Sequence, residues 1–194
     1  MSAVTQLEGT LDPTMRRRIF QAGVDQLAVT NLGSFTLDAV AARAGIGVHL
    51  IKQIWPSAPD LFAAMLEDFA EVHMPVPDTG TFRGDLLEYA RLYALMVNTP
   101  TGRRMLDAVI VKPQDWDLTE SRAVFLEYRV RRIGPMVLRA IERGECPPDT
   151  DPALTVDMLA IGLCLPVLLY DQSITDEHCQ YVVRTLLDGI TGKH

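Results

Sequence analysis

Apolar residues recur along this 194-residue chain at spacings of three and four, and strict alternation is missing. That period predicts helices and argues against strands. Residues 13–31 place Met15, Ile19, Ala22 and Gln26/Leu27 on one face, and Asn31-Leu32-Gly33 ends the run. Residues 58–73 align Leu61, Met65, Phe69 and Val72. Met74-Pro75-Val76-Pro77-Asp78-Thr79-Gly80 then breaks the composition, and helices are expected over 82–98, 101–112, 119–143, 152–171 and 175–190. Pro135 and Pro166 fall inside two of these. Each removes a backbone hydrogen bond and should kink its helix. The freed carbonyls near Val130/Arg131 and Gly162 would then need water or ligand partners.

The stretch FTLDAVAARAGIGVHLIKQIWPSAPDLF (35–62) has a different rhythm: a short helix, a glycine turn and a second short helix closed by Trp55-Pro56. This is the pattern of a DNA-reading helix-turn-helix. Thr36 is placed to cap the first helix, while Leu37, Val40, Ala41 and Ala44 share a narrow face on which alanines allow close approach. Gly45 suits the left-handed turn, and Ile46 can plug the gap between helices. The second helix, roughly 48–54, is too short to persist unaided. It carries Val48, His49, Lys52 and Gln53, with Leu50, Ile51 and Ile54 available as anchors. The resulting division is a flexible start (1–11), a helix-turn-helix DNA-binding domain (12–57), a connecting helix (58–74) and a larger helical bundle (75–194). The fold class is all-α, with about nine helices.

Composition narrows the function. Cys146, Cys164 and Cys179 are odd in number, scattered, and form no CxxC pair, which points to a reducing compartment and away from disulfides or zinc. His49, His73, His178 and His194 lack metal-ligand spacing and read as surface or packing residues. No signal-like segment opens the chain. The longest apolar run, Met158–Tyr170, is short for a bilayer and contains Gly162 and Pro166. A cytoplasmic protein without membrane contact is expected. No nucleophile elbow, P-loop, dinucleotide fingerprint or His-Glu metal motif supports an enzyme, and no cofactor is implied. The net charge of −7 opposes DNA binding only at first sight. Residues 1–60 balance five basic groups (Arg16, Arg17, Arg18, Arg43, Lys52) against five acidic ones (Glu8, Asp12, Asp25, Asp38, Asp60). The remainder, with 13 basic and 20 acidic residues, carries the whole −7.

The set Ile19…Ala22, Gly33, Thr36, Val40-Ala41, Ala44-Gly45-Ile46, Trp55-Pro56-Ser57 and Asp60-Leu61 resembles the TetR family of bacterial one-component regulators. FRGDLLEYARL (82–92), TPTGRRML (99–106), Arg129–Arg139 and RAIERGE (139–145) resemble landmarks of one subgroup's carboxy-terminal domain. The resemblance implies three amino-terminal helices containing the helix-turn-helix, a connecting helix, and a helical domain for ligand binding and dimerisation. Departures are local. Lys52-Gln53-Ile54-Trp55 stands where the family has a Tyr-x-x-Phe pattern, Gly47 replaces a serine or threonine cap, and Ala58 replaces a lysine.

The implied function is a transcriptional repressor, a homodimer on a near-palindromic double-stranded operator, released by a small, mainly hydrophobic effector. Arg16, Thr36, Arg43, Gly47, Val48, His49, Lys52, Gln53 and Trp55 are the DNA-binding candidates. The arginine run 16–18 cannot turn all its members to one strand, because consecutive residues lie ~100° apart on a helix. Tyr93, Met96, Met105, Trp116, Phe125, Tyr128, Met136 and Leu163 are the candidates for an effector pocket. Leu154, Met158, Ile161, Leu165, Leu168, Val182, Val183, Leu186 and Ile190 make apolar faces wider than one partner helix can cover, and are expected at the dimer interface. The competing reading is a helical dimer that binds a protein or ligand and keeps a degraded DNA head.

Overall fold

A computed structural model describes residues 11–29, 35–110 and 119–191, without the side chains of 28, 29, 108–110, 119–126 and 191. Residues 1–10 of the expected flexible start, Gly33 and Trp116 therefore lie outside the described residues, as does the Phe125 side chain. The described residues form nine helices and no strand: α1 (Pro13–Val29), α2 (Leu37–Ala44), α3 (Val48–Ile54), α4 (Ala58–His73), α5 (Phe82–Val97), α6 (Pro100–Ile110), α7 (Thr119–Glu142), α8 (Pro152–Tyr170) and α9 (Asp176–Thr191). They gather into two compact units. One holds the described residues up to Asp68 and those between Arg104 and Phe125; the other holds Phe69–Arg103 and the described residues from Leu126 onward.

In the first unit, α2 packs on both α1 and α3. Ile19, Leu27, Phe35, Ile51, Trp55, Leu61 and Met65 are its fully buried bulky side chains. Phe35 and Phe62 meet edge to face at 6.0 Å. Gly23 of α1 faces Met65, and a Cβ there would overlap the thioether. Arg104 donates to the Leu27 carbonyl at 2.9 Å, so α6 supplies a partner near the end of α1. The helical period fails at one position of α4: Val72, expected inside, is exposed. Its helix passes from one unit into the next near that point.

In the second unit, α9 packs on α5 and α8, and α5 touches α8. Thr81 caps α5 by accepting from the Gly84 amide at 3.1 Å. One turn in, Asp85 is fully buried. Its Oδ1 accepts from the Thr79 amide (2.6 Å) and hydroxyl (2.7 Å). Its Oδ2 makes no hydrogen bond but lies 3.5 Å from Arg143 and 3.8 Å from Arg139, at the far end of α7. Arg139 also donates to the Pro77 carbonyl at 2.6 Å, and Glu145 accepts from the Phe82 amide. Between α5 and α6, the Thr99 hydroxyl donates to the Met96 carbonyl and accepts from the Gly102 amide. The Asn98 side chain exchanges two hydrogen bonds with the Ile174 backbone, tying that turn to the segment before α9.

At the proline inside α8 the structure departs from expectation. Pro166 does free the Gly162 carbonyl, yet that oxygen meets Nε2 of His178 from α9 at 2.8 Å, rather than needing water or a ligand. Gly162 also lets Val182 approach, since a Cβ there would crowd its methyls. The helix itself falls where the spacing placed it, within one residue of 152–171. The helix begins at Pro152 and continues for 19 residues at a mean hydropathy of 2.0, enough by length and composition to cross a membrane.

Replacing Asp85 with Ala leaves the Thr79 amide and hydroxyl without their buried acceptor and removes the carboxylate that faces Arg139 and Arg143. The loss expected is about 3–5 kcal/mol, read as a lower urea midpoint by circular dichroism.

Candidate nucleic-acid interface

The helix-turn-helix is built by caps before it is built by packing. The Thr36 hydroxyl accepts from the Ala39 amide at 3.2 Å and starts α2. Gly45 ends it in the left-handed region at φ 65°, its amide bonded to Ala42 and the Ile46 amide bonded to Ala41. This paired closure consumes the free carbonyls of the helix end and turns the chain sharply. A third carbonyl, Ala44, accepts from Arg18 at 2.6 Å.

α3 follows with Gly47 at its start and no side-chain cap. A seven-residue helix of this kind is held from behind. Ile51 and Ile54 are buried, and Trp55, 0% exposed, packs against Phe20 with tilted rings at 5.4 Å. Leu50, offered as a further anchor, is instead 39% exposed. The outward face carries His49, Lys52 and Gln53, with Val48 half-buried beside them. The His49 ring leans over Gly47, where a Cβ would overlap it. Just past α3, Ser57 and Asp60 form a reciprocal cap at the start of α4: the Ser57 hydroxyl donates to Asp60 at 2.6 Å and accepts from its amide at 3.3 Å. The S-x-x-D spacing could have revealed it in the sequence.

Two DNA-binding candidates are corrected. Trp55 has no exposed surface with which to meet DNA; its indole is the back wall of the motif. Arg16 is paired with Asp68 and lies 4.5 Å over the Phe20 ring, so its guanidinium is engaged within the unit. Of the three consecutive arginines, Arg16 binds α4, Arg18 caps α2, and Arg17 is exposed with no partner among the described residues. Arg43 bonds Gln26 at 3.4 Å.

The pocket candidates divide between the units. Tyr93, Tyr128, Met136 and Leu163 are buried in the second, where Met96 is half-buried, while Met105 is buried in the first. Tyr93 reaches the Cys164 thiol at 2.7 Å. Burial pushes both groups up, so each stays protonated at neutral pH. Tyr128 donates to Glu71 at 3.3 Å. Among the described residues no His, Cys, Asp or Glu cluster could hold a metal.

The interface candidates separate by face. Leu154, Met158, Ile161 and Leu165 form an exposed row along α8, each 43–63% accessible, continued by Leu169. Leu168, Val182, Leu186 and Ile190 are half-buried. Val183 is a correction. It is 1% exposed and packs inward with Cys179 and Leu187, because the inner face of α9 runs through 179, 183 and 187.

Residues 76–186 match the family model described as the tetracyclin repressor-like C-terminal domain. Over 178 residues the chain is 28% identical to the HTH-type transcriptional regulator AqdR of Rhodococcus erythropolis, covering 87% of this chain and 81% of that one. It is 23% identical to the uncharacterised HTH-type transcriptional regulator YdeS of Bacillus subtilis (strain 168), covering 92% and 91% of the two chains. Among solved structures, the TetR family transcription regulator SCO0332 superposes with a TM-score of 0.74 at 27% identity, over 91% of this chain and 98% of that one.

The burial pattern separates stability from recognition. Trp55→Ala should cost about 3–5 kcal/mol and melt the motif, whereas Lys52→Ala should leave the thermal midpoint unchanged. Thermal scans of both variants check the contrast.

Proposed function

We propose that this chain, which belongs to the TetR family of transcriptional regulators, is a cytoplasmic dimeric repressor released from a near-palindromic operator by a small apolar molecule. The observation that carries the reading is α3, whose back is buried through Ile51, Ile54 and Trp55 while His49, Lys52 and Gln53 stay exposed. A short helix with one free polar face suits the major groove, which can be read by hydrogen bonds to base edges. Gln53 can pair bidentately with adenine, and His49 can donate or accept at a base edge. Lys52 offers a point charge to phosphate where the family has an aromatic. Arg17 takes the place first given to Arg16 as a cation for phosphate, and Arg43 offers a second one. Thr36 and Gly47 contribute at the ends of the two short helices, whose free amides favour anions.

Regulators of this family bind DNA and form dimers. The exposed row on α8 supports an isologous pairing of α8 and α9 with their copies, which would place two α3 helices about a two-fold axis. An effector acts by favouring one relative placement of the two heads, so that the paired helices lose register with the groove.

Random-site selection should yield a near-palindromic motif, and a screen of apolar compounds should then release that operator in gel shifts. Lys52→Ala should weaken binding to every sequence alike and lower the salt slope by about one contact per head. Gln53→Ala should relax base preference by ~1–3 kcal/mol at one position. No sequence preference at low salt would sink the regulator mechanism.

The dimer has its own test. Ile161→Arg puts a charge in the middle of the α8 row and should give a monomer by light scattering at micromolar concentration, with helicity intact. A dimer indifferent to that charge would contradict the interface.

A further inference from the structure

Pro166 sits inside α8, so the amide that would close a turn onto the Gly162 carbonyl is missing. A carbonyl orphaned between packed helices costs free energy unless a donor reaches it. His178, in the first turn of α9, is that donor: its Nε2 lies 2.8 Å from the oxygen. A carbonyl can only accept, so Nε2 carries the proton. The backbone behind the ring is held in turn, because the His178 amide donates to the Thr175 hydroxyl at 3.2 Å. One turn further along α9, Val182 closes on the same place. A Cβ at Gly162 would stand 2.8 Å from its Cγ1, closer than side chains pack. At one point α8 thus gives up both a hydrogen bond and a side chain, and α9 fills both gaps.

Packing alone does not ask for this combination. Alanine at 162 and leucine at 166 would keep the helix apolar and restore its broken turn. Apolar contact is non-directional, whereas a hydrogen bond with a close backbone approach fixes which edge of α8 meets α9. Ile161 and Leu165 precede Gly162 and Pro166 by one residue, and so project ~100° around the axis from them. They are the middle of the exposed row. An α8 turned about its axis would carry that row away from the surface it shares with α9.

Resting on the dimer reading above, we propose that His178 is the positioning residue of the pairing surface. Through the Gly162 carbonyl it holds α8 at the rotation in which Leu154, Met158, Ile161 and Leu165 face a second copy of this chain. Both copies must be set for the rows to mesh, so the dimer weakens with the square of the set fraction. A roughly threefold loss of that fraction in each copy raises the dissociation constant about tenfold.

Sedimentation equilibrium on the full-length protein measures that constant. His178→Ala and His178→Leu should each raise it about tenfold. His178→Gln, whose side-chain amide can donate to the same oxygen, should recover part of the loss. The sharper comparison uses Pro166→Ala, which returns a backbone amide to the Gly162 carbonyl. In that background His178→Ala should cost nothing more, because the oxygen no longer needs the imidazole. Losses that simply add across the two sites would overturn the inference, and so would a glutamine no better than leucine. Thermal scans in the monomeric Ile161→Arg background separate positioning from stability. If His178→Ala lowers that midpoint but leaves the dimer's dissociation constant unchanged, the contact serves stability alone; the inference then falls while the dimer stands. A wild-type chain that sediments as a monomer at micromolar concentration would overturn both.

Discussion

Everything the first unit can do depends on keeping seven residues helical. A helix as short as α3 is not stable in water, since nucleation costs more than so few hydrogen bonds return. It has no side-chain cap at Gly47 to help it. The stabilisation comes from the far side: Trp55 against Phe20, with Ile51 and Ile54 beneath. It also comes from the turn before, where Gly45 takes a conformation that other residues reach only with strain and Arg18 closes the last carbonyl of α2. Since these residues do the holding, His49, Lys52 and Gln53 are spared from it. The polar front is free because the apolar back is complete.

The second unit is organised by a different means. Its family landmarks lie far apart in sequence, FRGDLLEYARL near residue 85 and RAIERGE near residue 140, yet they meet at one carboxylate. Asp85 gathers the Thr79 amide and hydroxyl from the loop before α5, and two guanidinium groups from the end of α7. Burying a charge in this way costs much solvation and is tolerated only when partners surround it. In return, the arrangement fixes which end of α7 lies beside the start of α5. Apolar packing, which is non-directional, would specify that register less sharply.

What could be read from the chain, and what could not, follows from the same distinction. Periodicity reports angular position around one helix axis, so Ile19, Ala22, Leu61 and Met65 were placed correctly from spacing alone, and proline and glycine marked most helix ends. Periodicity says nothing about which neighbour covers a face. Val72 obeys the spacing of α4 but is exposed, and Val183 was assigned outward although it faces in. The arginine triplet shows the limit most clearly. Three identical charges in a row separate into an ion pair with Asp68, a helix cap and a free side chain, according to angles the sequence does not carry. Trp55 was misread for a related reason. An aromatic at the end of a recognition helix looks available to a ligand until the ring that buries it, 35 residues earlier, is in place.

α8 shows how far composition can mislead. Nineteen residues at a mean hydropathy of 2.0 would satisfy a membrane, and a helix apolar on every side is normally buried or lipid-facing. The polar partners of this helix point elsewhere. Asp151 caps its start by accepting from the Ala153 and Leu154 amides. Asp157, halfway along, is bound to Arg129, and the carbonyl freed by Pro166 is met by His178. One flank is thus committed to α7 and α9 through polar contacts that a lipid-immersed helix would not need. The remaining flank, Leu154, Met158, Ile161 and Leu165, is an apolar row left 43–63% exposed. For a helix fixed on one side by ion pair and hydrogen bond, the pairing proposed above would cover the other side with a second copy of the same row and leave no charge unpaired.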